Sequence, residues 1–141
     1  MRVSEILRIK GHTLYTTLPG GSILDAVKVM ATNDIGSLVV MDRGRIVGML
    51  TFREVMLVLA QREGALGDAI VDDIYERDPV IASPDLDINE LRGVMLERHS
   101  RYVPVMDGGT LLGVVSFHDV AKAVFEEKSL EAEQLRGYIN A

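Results

Sequence analysis

The sequence predicts an α+β protein built from two copies of one β-α-β-β-α unit. Three observations predict it. The chain matches itself without a gap from Pro19 to Val55 at an offset of 65 residues. Within each copy the apolar pattern changes from helical spacing to a nearly continuous run and then to a short Asp/Gly turn. Each copy also closes on the same pattern, Gly48-Met49-Leu50-Thr51-Phe52-Arg53-Glu54 and Gly113-Val114-Val115-Ser116-Phe117-His118-Asp119. The offset pairs Pro19 with Pro84, Ile23 with Ile88, Val29-Met30 with Val94-Met95, Val40-Met41-Asp42 with Val105-Met106-Asp107, Gly44 with Gly109 and Phe52 with Phe117. Such a self-match marks an internal duplication, and a unit this long exceeds the roughly 20–50 residues of common solenoid repeats. Two packed halves are expected, not an open array.

The elements can be justified in order. Val3 to Leu7 reads as a short helical turn, resembled by Val71 to Tyr75 at an offset of 68. Thr13 to Thr17 and Pro79 to Ala82 read as short extended segments, because a residue before proline is pushed towards extended geometry. Ser22 to Asp34 is predicted as a helix capped by Ser22, with Ile23, Ala26, Val27 and Met30 on one stripe. Asp87 to Arg98 repeats it with Ile88, Leu91, Val94 and Met95. Ser37 to Met41 is a strand whose continuous apolar run implies burial on both faces. Asp42-Arg43-Gly44 turns it into Arg45 to Leu50, and Asp107-Gly108-Gly109 makes the same turn before Thr110 to Val115. Short Asp/Gly connections of this kind form antiparallel hairpins. Helices then run from Thr51 to about Arg62 and from Ser116 onward, with Gly64 to Gly67 the expected hinge between halves. The stretch from Glu126 to Ala141 is charged but keeps Leu130, Leu135, Tyr138 and Ile139, which suits a helix that is either solvated or docked on a neighbour.

The strand-to-helix motif carries the chemistry. A helix start presents unpaired N–H groups and partial positive charge, so it accepts an anion such as phosphate. Ser116 adds a hydroxyl donor, and the Asp119 carboxylate can accept two hydrogen bonds from a vicinal diol such as a ribose. Taken alone, Ser116 and Asp119 also fit a plain capping box, which is common before helices. The second occurrence of the motif is what gives the binding reading its weight.

Composition bounds the partners. The 141 residues suit one compact domain of ordinary size, and 48% are hydrophobic with only 5% aromatic, which gives an aliphatic, Met-filled core. With 15 basic and 21 acidic residues the net charge is −6, which argues against nucleic acid or an anionic membrane as main partner. No apolar run approaches the ~20 residues of a bilayer span. There is no cysteine, which excludes thiolate chemistry and fits the cytoplasm. No P-loop, dinucleotide fingerprint or metal-spaced cluster is present, and His12, His99 and His118 fall in different segments, so an enzyme is not expected.

Two β-α-β-β-α units, each ending Gly-h-h-Ser/Thr-x-x-Asp/Glu (h apolar), resemble a tandem pair of CBS domains, a Bateman module. The resemblance covers essentially the whole chain. In the second repeat it rests on Asp78-Pro79-Val80, Ser83-Pro84, Arg101 to Asp107 and Gly113 to Asp119. The chain is also similar to small stand-alone members of the family, including organellar plant ones with a tail like Glu133 to Ile139. The resemblance implies repeats at 1–66 and 67–128 related by pseudo-two-fold symmetry, a helical tail at 129–141, and a disk-like homodimer using helix Thr51–Arg62 and the helix after Ser116. It further implies a regulatory, energy-sensing module that binds an adenosine-containing ligand in clefts between the repeats and passes that state to a regulated partner protein. AMP is the first candidate, with ATP, ADP, NAD(H) and S-adenosylmethionine as the others.

Carried onto these positions, the resemblance gives Ser116 the phosphate and Asp119 the ribose, with Val80, Ile81, Tyr102, Val103 and Pro104 around the base. Arg101 is either a phosphate contact or a solvated loop charge, and His118 either reaches phosphate or is an exposed helical histidine. The first repeat departs from the pattern: Glu54 replaces the ribose aspartate, Gly36 stands where Arg101 stands, and Val39 replaces Pro104. The first-repeat site, at Thr16, Ser37, Thr51, Arg53 and Glu54, is therefore expected to be weaker, differently selective or empty. The alternative to sensing is a ligand-free scaffold whose repeat faces and tail bring proteins together.

Overall fold

The computed structural model describes residues 1–11 and 13–140; His12 and Ala141 lie outside the described residues. Its elements, in chain order, are α1 (Val3–Lys10), β1 (Thr16–Thr17), α2 (Ile23–Asn33), β2 (Ser37–Asp42), β3 (Arg45–Thr51), α3 (Phe52–Gln61), a 3-10 turn (Val71–Asp73), α4 (Ile88–Arg98), β4 (Tyr102–Asp107), β5 (Thr110–Ser116) and α5 (Phe117–Asn140). The fold is mixed α and β, with two small sheets. Packing divides it into two compact units, residues 14–79, and residues 80–141 together with 1–13. The divisions at 66/67 and 128/129 concern repeats along the chain, whereas these units are drawn by contact in space.

In the unit 14–79, β1 runs parallel to β2 and β2 antiparallel to β3. Ser37, Leu38, Val39 and Val40 are all buried, as a strand covered on both faces requires. The hairpin turns through Arg43 and Gly44, whose φ values of 52° and 77° suit the twist of a two-residue connection. On α2, Ser22 Oγ accepts the Asp25 N–H at 3.0 Å, and Ile23, Ala26 and Met30 face a core shared with Leu38, Leu50, Val55, Val58 and Val71. The stretch Gly64–Gly67, expected as the hinge, lies inside this unit. Beyond it, Ala69 and Val71 are buried, Val71 N–H donates to Gly21 C=O at 2.8 Å, and Asp72 N–H donates to Pro19 C=O at 2.7 Å.

The other unit repeats the hairpin as β4 and β5, with its ladder shift between Val105 and Met106 where β2 shifts between Val40 and Met41. Its core joins Ile88, Leu91 and Met95 of α4 to Val103, Val105, Val115, Val120 and Val124, and α1 adds Val3, Ile6 and Leu7. The third strand shrinks to a single parallel bridge between Ala82 and Val105. The cause is legible in one residue. In the first unit Val39 N–H donates to Tyr15 C=O at 3.2 Å. Pro104 stands at the equivalent place and has no N–H to offer Val80 C=O, so the ladder is broken there.

Two glycines set how closely the leading segments pack. A Cβ on Gly48 would meet the Glu76 carbonyl oxygen and lie 2.6 Å from the Tyr75 ring; one on Gly113 would lie 2.8 Å from Leu7 Cδ2. Leu7 and Tyr75 correspond at the offset of 68. Each repeat's leading segment thus packs on the hairpin of the other copy, through a glycine held at the same place in both hairpins.

Candidate functional site

The β5–α5 junction is built by a reciprocal cap. Ser116 N–H donates to Asp119 Oδ2 at 2.9 Å, and Asp119 N–H donates to Ser116 Oγ at 3.0 Å. The capping box expected from the sequence is therefore present, and it holds the Asp119 carboxylate at the mouth of the helix. Tyr102 pairs directly with Ser116 across the hairpin, Val103 with Val115 and Pro104 with Val114. Phe117 N–H donates to Arg101 C=O at 2.8 Å, which brings Arg101 to the same end. The Ala82 N–H donates to Pro104 C=O at 3.0 Å, laying Val80 and Ile81 beside the start of β4.

The side chains are not equivalent. Val80 is partly buried against the core and Ile81 is half exposed. Val103 is fully buried among Leu91, Val105 and Val115, so what it can offer a ligand is backbone. Arg101 and His118 are exposed, while Ser116, Tyr102 and Asp119 are partly buried. Burial pushes the Tyr102 hydroxyl pKa up, opposed by Arg101 and reinforced by Asp119.

One residue of the site was not singled out by sequence reasoning. Lys10, the last residue of α1, places Nζ 2.7 Å from Asp119 Oδ2 and 3.0 Å from the Val114 carbonyl oxygen. Burial works to raise the Asp119 pKa, but hydrogen bonds from Lys10 and Ser116 and the Lys10 charge outweigh it and hold the carboxyl below its ordinary value. Cations are favourable at a helix C-terminus, which makes Lys10 look ordinary in sequence. Nothing local announces a partner 109 residues away.

The equivalent junction in the first unit is closed on itself. Thr51 N–H donates to Glu54 Oε1 at 2.9 Å, and Thr51 Oγ1 lies 3.0 Å from each Glu54 carboxylate oxygen. Arg53 N–H donates to Thr51 Oγ1 at 3.2 Å, and Glu54 is buried. The extra methylene of Glu54 lets its carboxylate fold back over the cap. Ser37 pairs directly with Thr51 and is buried, Thr16 lies on β1 opposite Val39, and Arg53 is exposed. At Lys10's place the second leading segment carries Asp78. Among the described residues no cluster of three or more His, Cys, Asp or Glu is placed to hold a metal ion. None of the described helices is long and apolar enough to cross a membrane.

Comparison with known proteins decides the family. The CBS domain family model matches residues 3–61 and again residues 71–126. The chain belongs to the CBS-domain family. A protein with CBS domains from Burkholderia ambifaria superposes with a TM-score of 0.82 at 31% identity, over 88% of this chain and 93% of that one. The CBS domain pair of MJ0100, solved with 5′-methylthioadenosine and S-adenosyl-L-methionine, matches with a TM-score of 0.79 over 90% of this chain and 98% of that one. CBSX2, solved with AMP, matches with a TM-score of 0.73 over 90% and 98%. At 23% and 20% identity, the last two share the fold of this CBS pair.

Proposed function

We propose that this CBS pair is a non-enzymatic regulatory module that binds an adenosine-containing ligand at the β5–α5 junction of its second repeat, with AMP as the favoured ligand. The observation that carries the reading is the carboxylate of Asp119, held by Ser116 at a helix start beside a strand whose ladder Pro104 interrupts. Ribose hydroxyls donate to Asp119. A 5′-phosphate takes the helix start, the Ser116 hydroxyl and the Arg101 side chain, with His118 exposed on the same turn. The base lies between Val80, Ile81 and Tyr102 and the backbone of Val103 and Pro104. Val80 C=O, given no ladder donor by Pro104, is an acceptor suited to the exocyclic amine of adenine. Adenosine compounds bound in MJ0100 and CBSX2 support the ligand class.

The first-repeat junction favours the scaffold reading for its half, since Thr51 occupies both oxygens of Glu54. Self-association fits the same surface logic. Helices α3 and α5 begin at matching places in the two repeats and leave Met56 and Phe125 61% and 72% exposed. We assign these faces to a second copy of the chain, in a homodimer that relays ligand state to a regulated protein in the cytoplasm.

Thermal melting with AMP, adenosine and inorganic phosphate tests the reading. A ligand that binds only the native state stabilises it by RT ln(1+[L]/Kd), about 2.7 kcal/mol at a hundredfold excess over Kd. The expected result is a clear rise with AMP. No shift with any adenylate at millimolar concentration would favour the scaffold for the whole chain.

A further inference from the structure

The Lys10–Asp119 contact raises a question of valence. Asp119 Oδ2 already accepts the Ser116 N–H at 2.9 Å and the Lys10 ammonium at 2.7 Å. A carboxylate oxygen offers two lone-pair sites, and a vicinal diol that binds a carboxylate in bidentate fashion needs both oxygens. With Lys10 in place, Oδ2 has no lone pair left for a ribose hydroxyl. The Ser116 N–H is part of the helix cap and stays. The group that must yield is Lys10.

Lys10 is suited to yield. Its side chain is 43% exposed, against 21% for Asp119, so the pair is a partly solvated one. Its ammonium sits on a flexible four-carbon stem with rotatable donors, unlike the planar fork of an arginine. Its second bond, to the Val114 carbonyl oxygen at 3.0 Å, anchors the stem beside β5. Lys10 Nζ and Ser116 N–H already donate to the same oxygen, so an ammonium released from Asp119 stands at the helix start. An ammonium freed there is stabilised by an anionic group on the incoming ligand and is left unpaired beside a neutral or cationic one.

We propose that Lys10 is the charge-selecting residue of this site: it occupies the diol-binding carboxylate when no ligand is bound and transfers its ammonium to the ligand's acidic group when ribose takes Asp119. The proposal rests on the adenosine reading of the Ser116–Asp119 site and adds the class it selects, adenosine compounds with a phosphate or other anion near the ribose. Nucleosides must displace Lys10 without compensation, and a sulfonium compound such as S-adenosylmethionine meets it as a like charge. The selection is peculiar to the second repeat, because Asp78 stands at Lys10's place in the other leading segment and Glu54 is closed by Thr51.

The experiment is a titration of AMP and of adenosine into the full chain and into Lys10→Met and Lys10→Arg. Methionine keeps the length and apolar stem of the side chain without its charge. In Lys10→Met adenosine should bind a few-fold tighter, because its competitor is gone. AMP should bind more weakly, so that the AMP-to-adenosine affinity ratio falls about tenfold or more, the range of one charge-assisted hydrogen bond. Lys10→Arg keeps the cation, but its planar fork can hold both Asp119 oxygens, so it should bind AMP and adenosine more weakly than the parent does, and tighter binding of either would overturn the proposal. Melting of each unliganded variant identifies any that fails to fold, and Lys10→Gln then replaces it. A ratio unchanged in Lys10→Met, or adenosine and AMP both tightened equally, overturns the proposal while the adenosine site stands. Binding of neither ligand by the parent chain removes the site itself and the proposal with it.

Discussion

The close approach at Gly48 makes a demanding test of how the leading segments pack. Gly48→Ala places a methyl group inside the contact distance of the Glu76 carbonyl oxygen and 2.6 and 2.8 Å from two atoms of the Tyr75 ring. The backbone there is stitched by Met49 N–H to Glu76 C=O at 2.9 Å and Glu76 N–H to Met49 C=O at 2.8 Å. The methyl can be housed only by moving that segment away. The change weakens two backbone bonds worth about 0.5–1.5 kcal/mol each and adds overpacking of about 1–3 kcal/mol, for a loss of about 2–6 kcal/mol. Gly113→Ala meets only the end of a flexible side chain, Leu7 Cδ2, at 2.8 Å, with the next atom at 3.8 Å. A rotation of Leu7 relieves it, and the smaller backbone entropy of alanine in the unfolded chain offsets part of the cost, so the net loss is about 1 kcal/mol or less. Urea unfolding separates them: at m of about 1–3 kcal/mol/M, Gly48→Ala should lower the midpoint of its transition by about 1 M or more, and Gly113→Ala by a few tenths. Equal losses, or a larger loss at Gly113, would refute the argument that rigid backbone at one glycine and a flexible side chain at the other decide the cost.

The Lys10–Asp119 pair and the exposed faces of α3 and α5 carry two further expected outcomes. Because the Asp119 pKa is lowered in the folded protein, its contribution to stability is present above the unfolded value and is lost as pH falls through the folded one, below about pH 4; the stability gap between the parent and Lys10→Met should close over that acid range, and a gap constant down to pH 2 would contradict the pair. Light scattering at micromolar concentration should report a dimer, and Met56→Glu with Phe125→Glu should shift it to monomer while leaving the helical circular dichroism unchanged; a parent monomer would remove the homodimer.

Much of this architecture was legible because its causes are local. Ser22, Thr51 and Ser116 each announce a helix start, the Asp/Gly turns announce the hairpins, and the unbroken apolar run at Leu38–Val40 announces a strand buried on both faces. Glu54 read as a departure from the second motif, and the structure gives its physical form, a carboxylate folded back onto Thr51. Other features depend on which segment reaches which hairpin, and no local pattern encodes that. The Gly64–Gly67 stretch looked like a hinge because glycines punctuate chains, yet Ala69 and Val71 anchor the next segment to the core of the same unit. The third strand of the second unit looked equal to β1 until Pro104 is seen facing Val80 without a donor. Lys10 could not be read at all: its partner is set by Leu7 seating against Gly113, which carries the end of α1 to the start of α5.

The central claim is that one adenosine site per chain is built on Asp119 and that its counterpart at Glu54 does not bind. Titration calorimetry with AMP on the full chain, Asp119→Asn and Glu54→Gln tests it in one measurement. Asparagine at 119 can still accept the Ser116 N–H through its amide oxygen but loses the charge-assisted acceptor for the ribose, which is worth about 1.5–3 kcal/mol, or roughly ten- to hundredfold in affinity. The account predicts one AMP per chain in the parent, that loss in Asp119→Asn, and affinity within about twofold of the parent in Glu54→Gln. Two AMP per chain, or equal losses from the two substitutions, would contradict it.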